Sequence, residues 1–216
     1  MEVGYRSEIG HVRKRNEDAL LVEPEVGAFA VADGMGGHPA GDVASAVAIA
    51  GLKDVLRGYD GADPAATVAA AIREAHAAVL TAAHEEPARR GMGSTVVVAL
   101  VTADEAWIGH VGDSRCYLMA GGDGLRQLTT DHGAGGYLTQ ALGLERGIEP
   151  DISRVRLAAG DRLLLCTDGL TNMVEDREIE RILGQSEEVQ AASDALTSAA
   201  LDVGGIDNVT TIVIDH

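Results

Sequence analysis

Apolar residues recur at two different spacings along the chain, and the order of these spacings predicts an α+β protein. Between 42 and 57 the apolar positions recur at helical spacing, which predicts a first helix. Asp63 followed by Pro64 predicts the capped start of a second, alanine-rich helix that extends to about residue 84. Two short apolar runs that precede these helices are typical of buried strands, at 19–22 and 28–32.

From residue 94 onwards the apolar runs shorten and are separated by Gly and Asp turns, as in consecutive strands. We predict one antiparallel meander and then a short helix, over 94–102, 106–111, 116–119, 125–128 and 137–142. Two strands, two helices (the second capped by Ser186) and a last strand follow, at 152–157, 162–167, 176–183, 187–201 and 208–214. This order predicts a four-layer αββα sandwich, in which two antiparallel β-sheets lie face to face and a helix pair flanks each sheet. Because the sequence has no repeat and no linker, we expect a single domain over 1–216.

The composition adds an aliphatic core and a strongly acidic surface. Only 3% of the residues are aromatic while 46% are hydrophobic, so Val, Leu, Ile and Ala must fill the core. The 34 acidic and 17 basic residues give a net charge of −17, which argues against nucleic-acid binding. Cys116 and Cys166 lie in apolar runs and are expected to be buried thiols. The first 18 residues lack the apolar stretch that a signal peptide needs, and no run approaches about 18 apolar residues. We therefore expect a cytoplasmic monomer with no membrane partner.

Four acidic segments stand at the ends of predicted strands, beside Gly or Asn. They are Asn16-Glu17-Asp18, Asp33-Gly34, Thr167-Asp168-Gly169 and Asp207-Asn208. Each segment alone is typical of a tight turn. Strands that end at one edge of a sandwich would instead gather the carboxylates into one mouth, where they repel each other unless a cation lies among them. Ligands that are all oxygen atoms favour Mg²⁺ or Mn²⁺.

Such a mouth is suited to the hydrolysis of phosphate esters. Two bridged cations lower the pKa of a shared water and hold the attacking and leaving oxygens in line. Arg13 and Arg15 precede the first acidic segment, and a guanidinium can bind two phosphate oxygens at once. The alternative is that these arginines form a solvated basic stretch together with His11 and Lys14.

Six motifs in a fixed order carry a resemblance to a known family over about residues 4–214. They are Arg13-x-x-Asn16-Glu17-Asp18, Asp33-Gly34-Met35-Gly36-Gly37-His38, Gly93-Ser94-Thr95, Gly112-Asp113-Ser114-Arg115, Thr167-Asp168-Gly169 and Asp207-Asn208. Together they resemble the bacterial metal-dependent protein serine/threonine phosphatases of type 2C. Each motif is weak alone, whereas the ordered set is specific.

The resemblance implies two Mn²⁺ or Mg²⁺ ions and a ligand set for them. Asp33 is similar to the carboxylate that bridges both metals, and the Gly34 carbonyl to a ligand of one of them. Asp168 and Asp207 match the ligands of the other metal. Asp18 matches an acid that holds metal-bound water or coordinates more directly.

The resemblance also implies roles around the metals. Arg13 matches the arginine that binds the substrate phosphate, Glu17 an acid that holds metal-bound water, and Asn208 the residue that orients the last ligand. His38 is either a proton donor to the leaving alkoxide or a hydrogen-bonded structural histidine. The implied mechanism is direct attack by a metal-bridging hydroxide. Gly93-Ser94-Thr95 is interpreted as structural.

Three positions depart from the family pattern. The segment near 131–138 is shorter than the flap that bacterial members usually carry, which predicts an open site. Gln140 stands where an arginine is usual, and Asn172 where an aspartate is usual. Since an amide binds these cations more weakly than a carboxylate, a third metal on Asp113 is doubtful. The alternative role of Asp113 is to hold its turn and pair with Arg115.

Two functions stay open at this point. The first is an enzyme that hydrolyses phosphoserine and phosphothreonine in proteins, opposing a serine/threonine kinase or acting on regulators of alternative sigma factors. The second is a phosphatase-like binding or regulatory module with little turnover, which the short flap and Asn172 motivate. A metal-dependent nuclease conflicts with the charge of −17.

Overall fold

The apolar runs of the sequence pair into two five-stranded antiparallel sheets. The structure, a computed structural model, describes residues 1–35, 40–121, 124–134 and 137–216. The first sheet has the strand order β10-β5-β4-β3-β2, with β2 Asp18–Glu23, β3 Ala28–Asp33, β4 Val96–Val101, β5 Glu105–Val111 and β10 Asp151–Arg156. The second has the order β1-β12-β11-β6-β7, with β1 Glu2–Glu8, β6 Arg115–Ala120, β7 Gly124–Gln127, β11 Arg162–Cys166 and β12 Val209–Asp215. A two-stranded hairpin consists of β8 Gly133–Ala134 and β9 Tyr137–Leu138.

Helices cover the outer face of each sheet. The long helices α1 (Gly41–Arg57) and α2 (Pro64–Glu85) pack on the first sheet. As predicted, Asp63 caps α2, because its Oδ1 accepts a hydrogen bond from the Ala66 N–H at 2.9 Å. The second sheet carries α4 (Asp176–Gln185) and α5 (Val189–Asp202). Two short elements complete the order, the single turn α3 (Asp168–Thr171) and a 3-10 turn at Pro87–Arg89.

The core has three buried layers, as the αββα sandwich requires. The middle layer lies between the sheets, where Phe29 and Val97 of the first sheet meet Leu165 and Ile212 of the second. All six residues of β4 are buried, because the other sheet covers one face of the strand and helices cover the opposite face. The predicted fold class is confirmed.

Several local predictions were wrong for identifiable reasons. The predicted meander is divided between the sheets, because the chain leaves β5 at Gly112, whose φ of 107° favours glycine, and enters the other sheet at β6. Residues 137–142 form no helix, since β9 pairs with β8 and Leu142 exchanges two backbone hydrogen bonds with Ser94. Ser186 does not cap α5, because its hydroxyl donates to the Ile182 carbonyl at the end of α4.

Strand β1 was not predicted. It pairs with β12 from Glu2↔Asp215 to Glu8↔Val209, but its sequence contains few apolar residues. Gly4 allows the helix to approach, because a Cβ at this position would lie 2.3 Å from backbone atoms of α5. The feature of the sequence that marks β1 is therefore Gly4, which allows close backbone packing against α5, and not an apolar pattern.

The thiols and the helices agree with the sequence. Cys116 and Cys166 are free and fully buried. They belong to separate layers of the core, on opposite faces of the second sheet. Among the described residues, no helix combines the length and the apolar character that crossing a membrane requires.

Candidate active site

The ends of four strands bring together four carboxylates that the sequence places far apart. Asp18 begins β2 and pairs with Asp33, the last residue of β3. Asp168 follows β11 and begins α3, and Asp207 stands two residues before β12. The Asp33 and Asp168 side chains lie close enough for each to perturb the pKa of the other. As the sequence predicts, these acids lie together at one edge of the sandwich.

Two threonines hold the Asp18 side chain from the neighbouring sheet. Its Oδ2 accepts hydrogen bonds from Thr167 Oγ1 at 2.9 Å and from Thr210 Oγ1 at 2.7 Å. Sequence reasoning missed both threonines. Thr167 directly precedes Asp168 in one of the acidic segments, so its position was a usable signal, whereas the role of Thr210 depends on the packing of the sheets.

The electrostatics of the cluster are those of crowded like charges. Desolvation, followed by the charges of Asp168 and Asp207, raises the pKa of Asp18 to about 7, against the lowering effect of its two threonine donors. Desolvation and the Asp18 and Asp168 carboxylates raise the pKa of Asp33 well above its usual value. Desolvation raises the pKa of Asp168 as well. Protons are therefore retained where the carboxylates meet without a cation.

The donor set fits hard divalent cations. Asp18 Oδ1 and Asp168 Oδ1 are buried and have no hydrogen-bond partner among the residues that the structure describes. A buried polar atom without a partner is costly, and a cation would satisfy both oxygens and reduce the repulsion. Since the surrounding groups are carboxylates, hydroxyls and carbonyls, the cluster suits Mg²⁺ or Mn²⁺.

Gly34 lies where no side chain fits. Its N–H donates to the Glu17 carbonyl at 3.0 Å. A Cβ on Gly34 would lie 2.0 Å from the Gly41 carbonyl oxygen at the start of α1. The chain therefore passes beside the cluster as bare backbone, so its carbonyl groups can approach a ligand.

Asn208 fastens the loop that precedes β2. Its Oδ1 accepts from the Glu17 N–H at 2.8 Å, and its Nδ2 donates to the Ile9 and Arg15 carbonyls, both at 2.9 Å. Desolvation raises the pKa of Glu17, whose carboxylate lies close to Gly41. The described contacts of Asn208 thus position the loop and the neighbouring Asp207.

The two arginines of the loop have different surroundings. Arg13 Nη2 donates to Asp207 Oδ2 at 2.6 Å, and its half-buried guanidinium also feels the charges of Glu17 and Asp33. Arg15 is exposed, and its nearest carboxylate is that of Asp42 at 3.4 Å. Only Arg13 borders the carboxylate cluster, so the interpretation as a solvated basic stretch applies to Arg15.

The residues predicted for a third metal lie beside Asp168. Asn172 Nδ2 donates to Asp168 Oδ2 at 2.9 Å. Desolvation and the Asp168 charge raise the pKa of Asp113 to about 6. The alternative pairing of Asp113 with Arg115 was wrong, because Arg115 forms its ion pair with Asp131, at 2.7 Å.

Contacts on both flanks tie the short flap segment to the rest of the protein. The His132 backbone N–H donates to the Gly112 carbonyl, and the His132 ring stacks on His110 at a centroid distance of 4.5 Å. Gln140 Oε1 accepts from the Glu149 N–H at 2.8 Å. His38, a predicted proton donor or structural histidine, lies outside the described residues.

Comparisons with known proteins point to one family. Residues 10–201 match the sequence profile of the family described as "Protein phosphatase 2C". The serine/threonine phosphatase stp of Listeria innocua is 34% identical over 243 residues, covering 100% of this chain and 96% of the relative. The crystal structure of the Mycobacterium tuberculosis phosphatase PstP is similar with a TM-score of 0.91 and 36% identity, covering 99% of this chain and 97% of that one. A structure of the PstP catalytic domain in complex with two manganese ions has a TM-score of 0.90 and 37% identity at the same coverage.

Proposed function

The chain belongs to the protein phosphatase 2C family of metal-dependent serine/threonine phosphatases, and we propose that its carboxylate cluster holds two divalent cations for the hydrolysis of phosphoserine and phosphothreonine in proteins. Mn²⁺ and Mg²⁺ both suit the oxygen ligands. When bound, the cations supply an acidified water and a positive field for the phosphate oxygens.

Five groups of this chain would hold the two cations. Asp33 would be a ligand of both, since it is paired with Asp18 across β2 and β3 and the charges of Asp18 and Asp168 both act on it. The Gly34 carbonyl would serve one cation, while Asp168 and Asp207 would serve the other. Asp18, fixed at Oδ2 by its two threonines, offers Oδ1 directly or through water. The buried Oδ1 atoms of Asp18 and Asp168, which have no hydrogen-bond partner among the described residues, support a cation site here.

Arg13 would bind the substrate phosphate. Its ion pair with Asp207 holds the guanidinium beside the cluster, while 36% of the side chain stays exposed. An accessible, fixed guanidinium can offer two parallel N–H groups to a phosphate. Glu17 and Asn208 hold the loop that carries Arg13, and act as positioning residues.

We also propose the setting in which this site works. The substrate is a phosphoprotein made by a serine/threonine kinase, and the enzyme acts as a cytoplasmic monomer in which residues 1–216 form one catalytic domain. The shared layers of buried residues support one domain, since the middle layer draws on both sheets. A third cation beside Asp113 and Asn172 is expected to bind weakly.

Phosphate release tests this function. Wild-type protein is incubated with a phosphothreonine peptide and with p-nitrophenyl phosphate, in millimolar Mn²⁺, in Mg²⁺ and in excess EDTA. We expect both substrates to be hydrolysed with either cation and neither in EDTA. If the protein binds the peptide but releases no phosphate under any condition, it is a binding module, and the proposed hydrolysis is wrong.

A further inference from the structure

Exposed apolar side chains are concentrated on two loops beside Arg13. The described residues include seven large hydrophobic side chains that are strongly exposed, and four of them lie in 9–12 and 203–206. Val12 is 63% exposed, and Val203 and Ile206 are each 58% exposed. Together with Ile9 they make up the exposed apolar side chains of these two loops, which we call the apolar rim. Single exposed hydrophobic residues are common, but a cluster at one place marks a binding surface.

Backbone contacts join the two loops into one platform. The His11 N–H donates to the Gly205 carbonyl at 2.7 Å, and Asn208 Nδ2 donates to the Ile9 carbonyl. Gly10 has a φ of 79°, and a Cβ there would lie 2.3 Å from the Asp207 carbonyl oxygen. The loops therefore touch through backbone, and the rim side chains are presented from fixed positions.

The apolar rim is adjacent in sequence to Arg13, the residue proposed to bind the phosphate, and to its partner Asp207. Val12 directly precedes Arg13, Ile206 directly precedes Asp207, and the side chains of Arg13 and Asp207 are joined at 2.6 Å. An extended peptide advances about 3.3 Å per residue. A peptide whose phosphate lies at Arg13 therefore brings its next few residues alongside these loops.

We propose that the apolar rim binds apolar side chains close to the phosphorylated residue of the substrate protein. This inference rests on the proposed function, and it makes the enzyme selective for phosphorylation sites flanked by aliphatic or aromatic residues. The selectivity arises because those side chains lose water-exposed apolar area only when they contact the rim.

Charge favours a phosphopeptide over a second copy of this chain. Lys14 and Arg15 are exposed on the same loop as Val12, and Arg15 lies 3.4 Å from Asp42, so Lys14 is the basic side chain beside the rim that attracts a phosphorylated peptide. Two copies that each carry a net charge of −17 repel one another. The continuity of the rim with Arg13 points to the same occupant.

Matched substrates and variants test the rim. Two phosphothreonine peptides are compared, one with Leu and one with Ser at the three positions on either side, and p-nitrophenyl phosphate serves as a substrate without flanking residues. We expect wild type to hydrolyse the Leu peptide with a kcat/KM about fivefold above that of the Ser peptide, mainly through KM. In the double variant Val12→Ser with Ile206→Ser, this ratio falls to about one. Tyr5→Ser, which removes an exposed apolar side chain from β1, is the control and keeps the wild-type ratio.

The outcomes separate the rim from the phosphatase activity. Hydrolysis of p-nitrophenyl phosphate with equal rates on both peptides overturns the rim and leaves the phosphatase function intact. If no substrate is hydrolysed, the proposed function fails, and fluorescence anisotropy of the same labelled peptides decides whether the rim still prefers Leu. A wild-type dimer that the double variant converts to a monomer would assign the rim to a second copy and overturn the proposal.

Discussion

Asp18 and Asp33 lie directly opposite each other in the register of β2 and β3, so one cross-strand pair consists of two carboxylates. Like charges in opposed positions weaken a sheet. The charge of Asp18 is among the causes that raise the pKa of Asp33, and Asp168 adds to the repulsion. This end of the first sheet is therefore less stable alone than with a cation between the strands.

We expect divalent cations to raise the melting temperature. A ligand that binds only the folded state at one hundred times its Kd adds about 2.7 kcal/mol to the free energy of unfolding. Melting curves in EDTA, in Mg²⁺ and in Mn²⁺ measure this, with K⁺ at equal ionic strength as the control. Curves that coincide in all four conditions would contradict a cation site made of these carboxylates.

Asp33→Asn should separate activity from stability. The substitution removes the shared ligand, so turnover should fall by about a thousandfold or more. It also removes a carboxyl group that, without a cation, must either stay charged among the other carboxylates or take up a proton on folding, so the metal-free variant should melt at a higher temperature than the metal-free wild type. Calorimetric Mn²⁺ titration and melting in EDTA measure both effects.

Asp202→Asn, on the exposed end of α5, is the matched control for Asp33→Asn and should change neither quantity. Unchanged Mn²⁺ stoichiometry in Asp33→Asn would exclude it as a shared ligand.

The sequence contains enough information to predict that the acids meet. Asp18, Asp33, Asp168 and Asp207 each stand beside an apolar run, and alternation of apolar runs with turns gives a local signal for where strands end. Two antiparallel sheets with helix pairs follow from the same pattern. The gathering of the carboxylates is therefore a consequence of element order.

The groups that hold those acids depend on packing between distant segments. Thr210 reaches Asp18 across 192 residues of sequence, through the way the two sheets lie on each other. The helix predicted at 137–142 was wrong because β9 pairs with β8 and Leu142 pairs with Ser94, a residue far away in the sequence. Strand β1 was not predicted because its sequence has little apolar periodicity. It packs closely against α5 at Gly4, where a side chain would not fit.

Arg13→Ala should raise KM for a phosphopeptide about tenfold or more and lower kcat less. The guanidinium binds the phosphate in the ground state as well as in the transition state, and charged hydrogen bonds contribute about 1.5–3 kcal/mol. Steady-state kinetics at saturating Mn²⁺ measure the change. Arg15→Ala, an exposed arginine of the same loop, is the control. An Arg13→Ala variant with a normal KM would mean that Arg13 pairs with Asp207 but does not bind the substrate phosphate.

His110 should make stability depend on pH. Its Nε2–H donates to the Thr130 carbonyl at 2.8 Å. Burial lowers the pKa of His110, opposed by that hydrogen bond and by the Asp151 and Asp131 charges and aided by the stacked His132. The unfolded histidine titrates near 6.5. Below that pH the unfolded chain binds a proton that the folded protein does not. The contribution of His110 is therefore complete above pH 6.5 and is lost as the pH falls.

The slope of unfolding free energy against pH measures the His110 effect. Urea unfolding between pH 7 and 5.5 should give a steeper loss for wild type than for His110→Gln, which keeps a donor for Thr130. The difference is at most about 1.4 kcal/mol per pH unit, the value for one proton. Parallel slopes would mean that His110 binds its proton equally well in both states. His76, whose pKa burial also lowers, is common to both proteins.

Asn172→Asp should tighten a third cation site. Asn172 already contacts Asp168, and the charge of Asp168 raises the pKa of Asp113, so the three side chains share one corner of the mouth. In the wild type Asp113 and Asp168 bring negative charge there, and Asp168 is also assigned to the two-cation core. A carboxylate at 172 adds a stronger oxygen ligand for Mn²⁺ than an amide does. The Asn172→Asp variant should therefore need a lower Mn²⁺ concentration for half-maximal hydrolysis.

In EDTA the Asn172→Asp substitution adds a like charge beside Asp168, so the variant should melt at a lower temperature than wild type. A Mn²⁺ titration of activity and a melting curve in EDTA give independent readouts. If the titrations superimpose while the melting temperature falls, residue 172 lies beside the cluster but binds no cation that turnover uses.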